Sequence, residues 1–285
     1  FGQKLKINRK DEIGELANSV NELSSSLNTA LTDLKATNEK LRSDIELERQ
    51  LDVMRRGFVA NVSHELKTPI AIISGYAEGL KLNVNAASKE EYCNTIIDES
   101  RRMNRLVLSI LELSRYESGQ MPLNMQNFDV SKLCGDMLAR IFVGKNINAE
   151  NLIPQNTEIY ADPLQIEQVL KSYLENAAAH TPEGGEVKVE SRQNGNTARI
   201  SVFNTGSHID DDIMPQIWQS FFRGDKSHKR DCSRFGLGLS IVSAIIKMHG
   251  HQCGVYNTEN GVCFWFETDT AKTSDLPAET ADTEK

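Results

Sequence analysis

The segment from Phe58 to Pro69 holds the side chains best suited to nucleophilic chemistry. On a helix, His64 and Thr68 are four residues apart and share one face, and Glu65 is adjacent to the histidine. A neutral imidazole has one basic nitrogen, so it is a usable nucleophile at neutral pH. We expect Glu65 to accept the ring N–H, which would fix the tautomer and stabilise the cation formed during attack. Taken alone, a histidine beside a glutamate is more often a solvent-facing helix residue.

A second group of residues, in the C-terminal half, suits phosphate binding. Residues 236–238 read Gly-Leu-Gly and open a predicted helix that runs to Gly250. Glycines at a helix start let backbone N–H groups approach an anion. Arg223 and Lys226 would add positive charge from the preceding loop. A lone Gly-x-Gly is more often a turn than a nucleotide site, but here three other polar segments precede it: 176–180, 203–206 and 221–227.

Other kinds of site are not favoured. The chain has no Gly-x-x-x-x-Gly-Lys-Ser/Thr, which excludes a P-loop. His249 and His251 could suggest a metal pair, but no third ligand is near in sequence, so we favour a helix-terminal histidine that interacts with the helix dipole. The five cysteines are scattered without a Cys-x-x-Cys pair, which fits neither a zinc cage nor a disulfide framework and favours a reducing compartment.

Composition limits the possible partners. The chain has 285 residues and 39% hydrophobic content, enough for a core. Lys+Arg 32 against Asp+Glu 40 gives a net charge of -8, so neither a nucleic-acid partner nor a polybasic membrane-surface role is expected. No stretch approaches the ~20 apolar residues of a spanning helix. Because the chain starts at Phe1 inside a polar helical pattern, we expect it to be a fragment.

The N-terminal part has the pattern of a two-stranded coiled coil. Apolar residues recur at alternating intervals of three and four, namely Ile13, Leu16, Val20, Leu23 and Leu27. The step to Leu31 is four instead of three, which indicates a stutter, a local unwinding that can set the rotation of the helices after it. A plain oligomerising stalk remains an equally good interpretation of this periodicity.

Two further helices should form a hairpin. The first is predicted from about Leu51 to Leu82, broken and bent at Pro69. The second should be capped by Ser88 in a capping box with Glu91, and should stop at 118–119. This hairpin carries more apolar surface than it can hide, so we predict a homodimer in which two hairpins form a four-helix bundle.

Beyond residue 119 the pattern indicates an α+β layer, a mostly antiparallel sheet covered by helices on one face. Helices are predicted at 131–141 and at 163–179, the latter capped by Asp162. Two hairpins are predicted, with strands at 186–192 and 198–203, and at 251–256 and 262–268. Residues 271–285 are polar and should form a solvated tail.

The segment from Phe58 to Pro69 resembles the phosphoacceptor box of the sensor histidine kinases of two-component systems. Residues 11–16 are similar to the last helix of the HAMP linker that precedes the bundle in one subfamily. The resemblance implies that His64 is phosphorylated from ATP, that Glu65 assists, and that Thr68 positions a water for removing phosphate from the partner. The partner would be the receiver domain of a response regulator.

The later segments resemble the N, G1, F and G2 boxes of the Bergerat-type ATP-binding domain, with residues 207–235 as a mobile lid. The resemblance implies that Asn176 lies near the phosphates and Mg²⁺, that His180 borders the adenine, and that Asn204 meets its amino group. The residues that would bind the nucleotide are Asn176, His180, Asn204, Gly206, Phe222, Arg223, Lys226, Gly236, Leu237 and Gly238.

The chain departs from the family pattern at several positions. Ser172 stands where the family has a magnesium-binding Asn, Ala179 replaces a Lys, and Asn204 replaces an Asp. His208 replaces the second glycine of the G1 box. Asn204 can still accept a hydrogen bond, whereas metal affinity and catalytic rate are put in doubt. ATP-hydrolysing relatives such as gyrase carry a Glu general base at position 172, so vigorous hydrolysis is not expected here.

These observations predict a multidomain α and α+β protein, with a coiled coil and a dimeric four-helix bundle followed by an α/β-sandwich ATP-binding domain. The expected parts are a HAMP helix and coiled coil (1–50), a histidine phosphotransfer hairpin (51–120), the ATP-binding domain (121–270) and the tail (271–285). The resemblance implies that the chain is the cytoplasmic portion of a plasma-membrane sensor whose N-terminal membrane segments are missing. The alternative is a degenerate signalling scaffold, or a phosphatase-only protein with weak ATP and Mg²⁺ binding.

Overall fold

The computed structural model describes residues 11–84, 88–118, 121–206, 208–222 and 235–272. The chain divides into two compact units, Phe1–His64 and Glu65–Lys285. The helices are α1 (Glu12–Lys81), α2 (Lys89–Glu117), α3 (Val130–Ile141), α4 (Pro163–His180) and α5 (Gly238–Met248), with a 3-10 turn at Gln216–Trp218. The strands are β1 (Gln126–Asp129), β2 (Asn148–Asn151), β3 (Glu158–Ala161), β4 (Glu186–Asn194), β5 (Thr197–Thr205), β6 (Cys253–Thr258) and β7 (Gly261–Thr270).

Helix α1 is continuous over 70 residues, so the predicted helix start near Leu51 and the predicted break at Pro69 are both wrong. A proline removes one backbone donor, and the hydrogen bonds of the neighbouring turns keep the helix intact around it. The apolar side chains predicted for the coiled-coil seam are exposed in the single chain, Leu23 among them at 70%. Such a row of exposed leucines is what a seam without its partner helix would show.

Helix α2 follows as the second arm of the predicted hairpin and ends at the predicted place. Ser88 takes the N-cap position, but its side chain makes no capping hydrogen bond to the described helix amides, so the predicted capping box is not formed. The hairpin is closed by an edge-on contact of Tyr76 with Tyr92, whose ring centres lie 5.0 Å apart. Gly79 lies beneath the Tyr92 ring, where a Cβ atom would be 3.0 Å from it.

Within the second unit, the part of the chain after α2 is built on a seven-stranded sheet. Its strand order is β1-β3-β7-β5-β4-β2, and β6 pairs with β7. All pairs are antiparallel except β2 with β4, which confirms the prediction of a mostly antiparallel sheet. Both predicted hairpins form, but β6 extends to Thr258, so the second turn is shorter than predicted.

Helices α3, α4 and α5 pack on the sheet and form the core with one of its faces. Helix α4 begins where predicted because the Asp162 carboxylate accepts the amides of Leu164 and Gln165 at 3.0 and 3.3 Å. The largest side chains of this core are Met137, Ile159, Ile166, Leu170, Tyr173, Leu174, Ile200, Ile245, Ile246 and Phe266. Alternate residues of β5 and β7 therefore face the helices, which explains their period-two pattern.

Helix α5 also packs against α2, and this contact buries apolar residues of the hairpin. Leu106 and Leu113 of α2 are fully buried. Tyr116, near the end of α2, is buried as well, and its desolvation raises the pKa of the phenol. Part of the apolar surface that the sequence assigned to a bundle core is thus covered by the chain's own α5. Within the described ranges, no helix has the length and apolar character that a membrane span requires.

Candidate functional site

His64, Glu65 and Thr68 all lie on α1. The side chains of His64 and Thr68 are exposed, and that of Glu65 is half-buried. An exposed imidazole on a helix is accessible to a reaction partner, which a phosphoacceptor requires. Glu65 faces α2, where its Oε2 lies 3.4 Å from the Nη2 of Arg102. The sequence did not predict this ion pair.

The C-terminal half of α4 carries the next group of predicted site residues. Asn176 is half-buried and His180 is exposed at the end of the helix. Ser172 lies one turn before Asn176 on the same helix face. A Cβ atom at Gly238 would lie 2.6 Å from the Ser172 Oγ, so the first residue of α5 lies directly against this face of α4. The tertiary structure therefore brings the predicted N and G2 segments together.

The G2 segment is also joined to the F segment. Gly236 has φ +70°, and the amide of Phe221 donates to its carbonyl at 2.9 Å. A Cβ atom at Gly236 would lie 2.7 Å from the carbonyl oxygen of Phe222, so only glycine fits this approach. Phe222 is half-buried. Arg223 and Lys226 lie outside the described residues, as do the other residues of 223–234 and residue 207 of the predicted lid.

The G1 segment lies at the end of β5, beside the loop that follows α4. Asn204 is 2% exposed and donates from its Nδ2 to the carbonyl of Thr205 at 3.3 Å. Gly206 has φ +89°, and a Cβ atom there would lie 2.5 Å from the Cδ of Pro182. Its amide donates to the carbonyl of Asn260 at 3.0 Å, which fixes the segment on the β6–β7 turn. A side chain at position 206 would push β5 away from α4.

The N-terminus of α5 leaves its first amides available. Leu237 takes the N-cap position and is buried, and no side chain of the described residues caps the helix there. The first N–H groups of a helix have no intrahelical acceptor, and the helix dipole adds positive potential at this end. Together with the close approach of Gly238, this arrangement suits an anion with several oxygens.

Two family models match the chain. The first, described as His Kinase A (phospho-acceptor) domain, matches residues 54–119. The second, described as histidine kinase-, DNA gyrase B-, and HSP90-like ATPase, matches residues 161–272. The sensor protein VanSB of Enterococcus faecalis is 31% identical over 265 residues, which are 92% of this chain and 58% of that protein. The chain belongs to the sensor histidine kinases.

Two other histidine kinases are also similar to this chain. The sensor-like histidine kinase SenX3 of Mycobacterium tuberculosis is 30% identical over 204 residues, which are 70% of this chain and 50% of that protein. The histidine kinase ThkA, solved in complex with the response regulator protein TrrA, superposes with a TM-score of 0.60 at 29% identity. That match covers 75% of this chain and 61% of the ThkA chain. This sensor histidine kinase chain spans about half the length of the curated relatives it matches.

The structure of this sensor histidine kinase also shows residues around the site that the sequence did not single out. Asn257 of β6 makes two hydrogen bonds to the backbone of Ile209, at 3.0 and 2.7 Å, and so anchors the chain just after the G1 segment. The Thr205 hydroxyl accepts the amide of Glu186 at 2.9 Å. Strands disfavour Asn, so the presence of Asn257 in this strand was the only available signal for its contact with Ile209.

His249 and His251, the pair that could have suggested a metal site, have structural contacts. His249 interacts through Nδ1 with the carbonyl of Ile245 at 2.8 Å, the helix-end position that the sequence predicted. Its Nε2 accepts the amide of Asp162 at 3.2 Å, and burial lowers the pKa of the ring. His251 instead lies 3.1 Å from the carboxylate of Asp269. Among the described residues, no group of three His, Cys, Asp or Glu side chains could hold a metal ion.

Proposed function

We propose that this chain uses ATP to phosphorylate its own His64 and then passes the phosphoryl group to an aspartate in the receiver domain of a response regulator. The observation that carries the proposal is the close approach of Gly238 to Ser172. This contact places the uncapped start of α5 next to the polar face of α4, although the two elements are far apart in sequence. The exposed His64 supplies the acceptor in the same chain.

The residues present fit a nucleoside triphosphate. The phosphates would bind the first amides of α5 at Leu237 and Gly238, next to Gly236, where a side chain would obstruct the approach. The adenine would lie at the other end of α4, bordered by His180. The buried amide of Asn204 would recognise its amino group, for which a carbonyl acceptor is sufficient. Gly206 lies beside Pro182 here, where a side chain would not fit. Phe222 and the lid residues Arg223 and Lys226 would cover the phosphates.

A magnesium ion also fits the available donors. Mg²⁺ binds oxygen and usually keeps several waters, so it needs only one or two protein ligands beside the phosphates. Asn176 would supply one oxygen and Ser172, one turn earlier, a weaker second one. When bound, the ion would neutralise part of the charge on the phosphates.

The transfer itself asks little of the protein beyond positioning. The unprotonated nitrogen of His64 would attack the γ-phosphorus, forming a P–N bond as the bond to the ADP oxygen breaks. Glu65 would accept the N–H on the other ring nitrogen and so stabilise the cation. Thr68 would position a water that hydrolyses the phosphate on the regulator. We therefore include a phosphatase activity in the proposal.

The proposed assembly is a homodimer. The exposed seam of α1, from Ile13 onward, supports pairing of two chains through a coiled coil and a four-helix bundle. The similarity to ThkA, which was solved with a response regulator, supports the partner class. We further propose that residues 11–16 end a HAMP linker and that the chain is the cytoplasmic part of a plasma-membrane sensor. The domain boundaries at 50, 120 and 270 belong to the same proposal.

The experiment is labelling with ATP that carries a radioactive γ-phosphate. The expected product is a phosphoprotein whose label is lost in acid and retained in base, as for a phosphoramidate. His64→Gln should abolish the label, while His251→Gln, which replaces a histidine paired with Asp269 outside the predicted nucleotide segments, should leave it unchanged. Label that persists in His64→Gln would refute the assignment.

A calorimetric titration separates the main alternative, a degenerate scaffold or a phosphatase-only protein. Ser172, Ala179 and Asn204 motivate this alternative because each departs from the family pattern. Magnesium-dependent binding of ATP below millimolar concentration supports the kinase. If no such binding occurs at millimolar ATP, the scaffold is favoured instead.

A further inference from the structure

Arg102 of α2 contacts two elements that the proposed reaction uses. Its guanidinium pairs with Glu65 of α1 at 3.4 Å and with Glu99, one turn earlier on α2, at 3.6 Å. The guanidinium lies over the ring of Phe235, with its central carbon 5.6 Å from the ring centre. Phe235 directly precedes the glycine segment that opens α5. One side chain thus bridges the carboxylate beside His64 and the entrance to α5.

The cluster is withdrawn from water. The side chains of Arg102, Glu65 and Glu99 are only 15%, 23% and 16% exposed. The neighbouring Arg101 makes a similar contact with Asp98 at 3.5 Å, but both side chains are 73% exposed. Charges attract more strongly where water is excluded, so the pair of Arg102 with Glu65 is the stronger restraint of the two.

The cluster is also incompletely satisfied. The Nε of Arg102 and the Oε2 of Glu99 are buried without a hydrogen-bond partner among the described residues. A buried polar atom that lacks a partner regains hydration when the site opens. The contact of Arg102 with Phe235 is therefore suited to be made and broken, rather than to hold the fold permanently.

Phe235 links this cluster to the position of α5. It is buried, and the carbonyl of the next residue, Gly236, accepts the amide of Phe221 at 2.9 Å. Helix α5 in turn packs on α2, the helix that carries Arg102. When α5 lies on α2, Phe235 covers the guanidinium. If α5 left α2, water would reach the guanidinium and weaken its pairing with Glu65.

We infer that Arg102 is a positioning residue that acts through Glu65: it holds the carboxylate away from His64 while Phe235 covers it, and frees the carboxylate when α5 leaves α2. The inference rests on the proposed function, because it assumes that Glu65 assists His64. On this inference, packing of α5 on α2 restrains Glu65, the carboxylate next to His64.

The test is a double-mutant cycle on the rate of autophosphorylation at saturating Mg-ATP. Arg102→Gln should accelerate labelling by about two- to fivefold, the range expected for loss of a partly screened ion pair. The KM for ATP should not change, since the restraint does not involve the nucleotide. The matched control is Arg101→Gln, which removes the exposed arginine and should leave the rate unchanged. Arg102→Lys keeps the positive charge, so its labelling rate should be close to that of wild type.

The dependence on Glu65 distinguishes positioning from a structural role. In a Glu65→Gln background, Arg102→Gln should have no effect. If Glu65→Gln reduces labelling below detection, the second cycle uses Phe235→Leu, which keeps apolar volume but removes the ring face. Phe235→Leu should accelerate labelling as well, and combining it with Arg102→Gln should add little.

Other outcomes would overturn the inference. They are a slower Arg102→Gln variant, an equal acceleration in the Glu65→Gln background, and full additivity with Phe235→Leu. Failure of the proposed function looks different, because wild type would then not be labelled, or His64→Gln would be. If His64 is labelled and the effects of Arg102→Gln and its partner substitution simply add, only the role of Arg102 is refuted.

Discussion

Gly238 lies so close to Ser172 that a Cβ atom on the glycine would be 2.6 Å from the serine Oγ. Real Cβ atoms do not approach other atoms this closely, so a side chain at position 238 would require Ser172 or the start of α5 to move. The contact joins residues 66 positions apart in the chain. It places the uncapped amides of α5 beside the polar face of α4, so the proposed phosphate and magnesium ligands depend on it.

Gly238→Ala should weaken ATP binding because the added methyl group pushes α5 away from Ser172. Overpacking of this kind costs about 1–3 kcal/mol, equivalent to a loss of affinity of roughly five- to 150-fold. Calorimetric titration with Mg-ATP measures it. The control is Gly135→Ala in α3, where a Cβ would meet only an ordinary contact at 3.7 Å. Adding Ser172→Gly removes the Oγ that the methyl group would meet. Because Ser172 is also a proposed metal ligand, this variant is compared with Gly238→Ala in a titration with ATP without Mg²⁺. Part of the affinity for ATP should return there, and no recovery would argue against this contact as the cause.

Gly206→Ala should also weaken ATP binding, and by more than backbone strain alone explains. Position 206 has φ +89°, and its Cβ would lie 2.5 Å from Pro182. Gly184→Ala is the matched control, since that residue has φ +77° but nothing within 4 Å. Strain of this kind costs about 1–2 kcal/mol of stability in either variant. Thermal unfolding and ATP titration of both variants measure the difference, and equal losses of affinity would contradict the role of the Pro182 contact.

Ser172→Asn should increase the affinity for magnesium in the presence of ATP, since a carboxamide oxygen is a better ligand than a hydroxyl. Autophosphorylation at limiting Mg²⁺ should rise accordingly, while the rate at saturating Mg²⁺ should change less. A titration of the labelling rate against Mg²⁺ checks the prediction. An unchanged Mg²⁺ requirement would show that Ser172 does not limit metal binding.

His249 should make the second unit less stable in mild acid. Burial lowers the pKa of this ring, and its Nε2 must stay unprotonated to accept the amide of Asp162. The unfolded chain, with a histidine pKa of about 6.5, therefore binds the proton first. This contribution is complete above about pH 6.5 and is lost as the pH falls toward the lower folded value.

Urea unfolding at pH 7.5 and pH 5.5 measures this effect. Wild type should lose more stability between the two pH values than His249→Gln, which has no group to protonate. His208→Gln, the exposed control, should behave as wild type does. Identical pH dependence in wild type and His249→Gln would contradict the prediction.

Predictions that depend on neighbouring residues succeeded at some positions and failed at others. The hairpins around Gly195 and Asn260 and the capping of α4 by Asp162 depend on neighbouring residues, and the pattern predicted them. Pro69 was expected to break α1, but cooperative hydrogen bonding of the turns on either side outweighs one missing donor. The expected cap at Ser88 is likewise not made.

The sequence by itself determined the acceptor box from Phe58 to Pro69 and the order of the four nucleotide segments, because these are carried by residue types at short, regular spacing. Only the tertiary structure decided that Gly238 meets Ser172, that Arg102 reaches both Glu65 and Phe235, and that His249 accepts the amide of Asp162. Each of these contacts joins residues dozens of positions apart. Strand register and helix packing set such distances, and no local pattern in the chain encodes them.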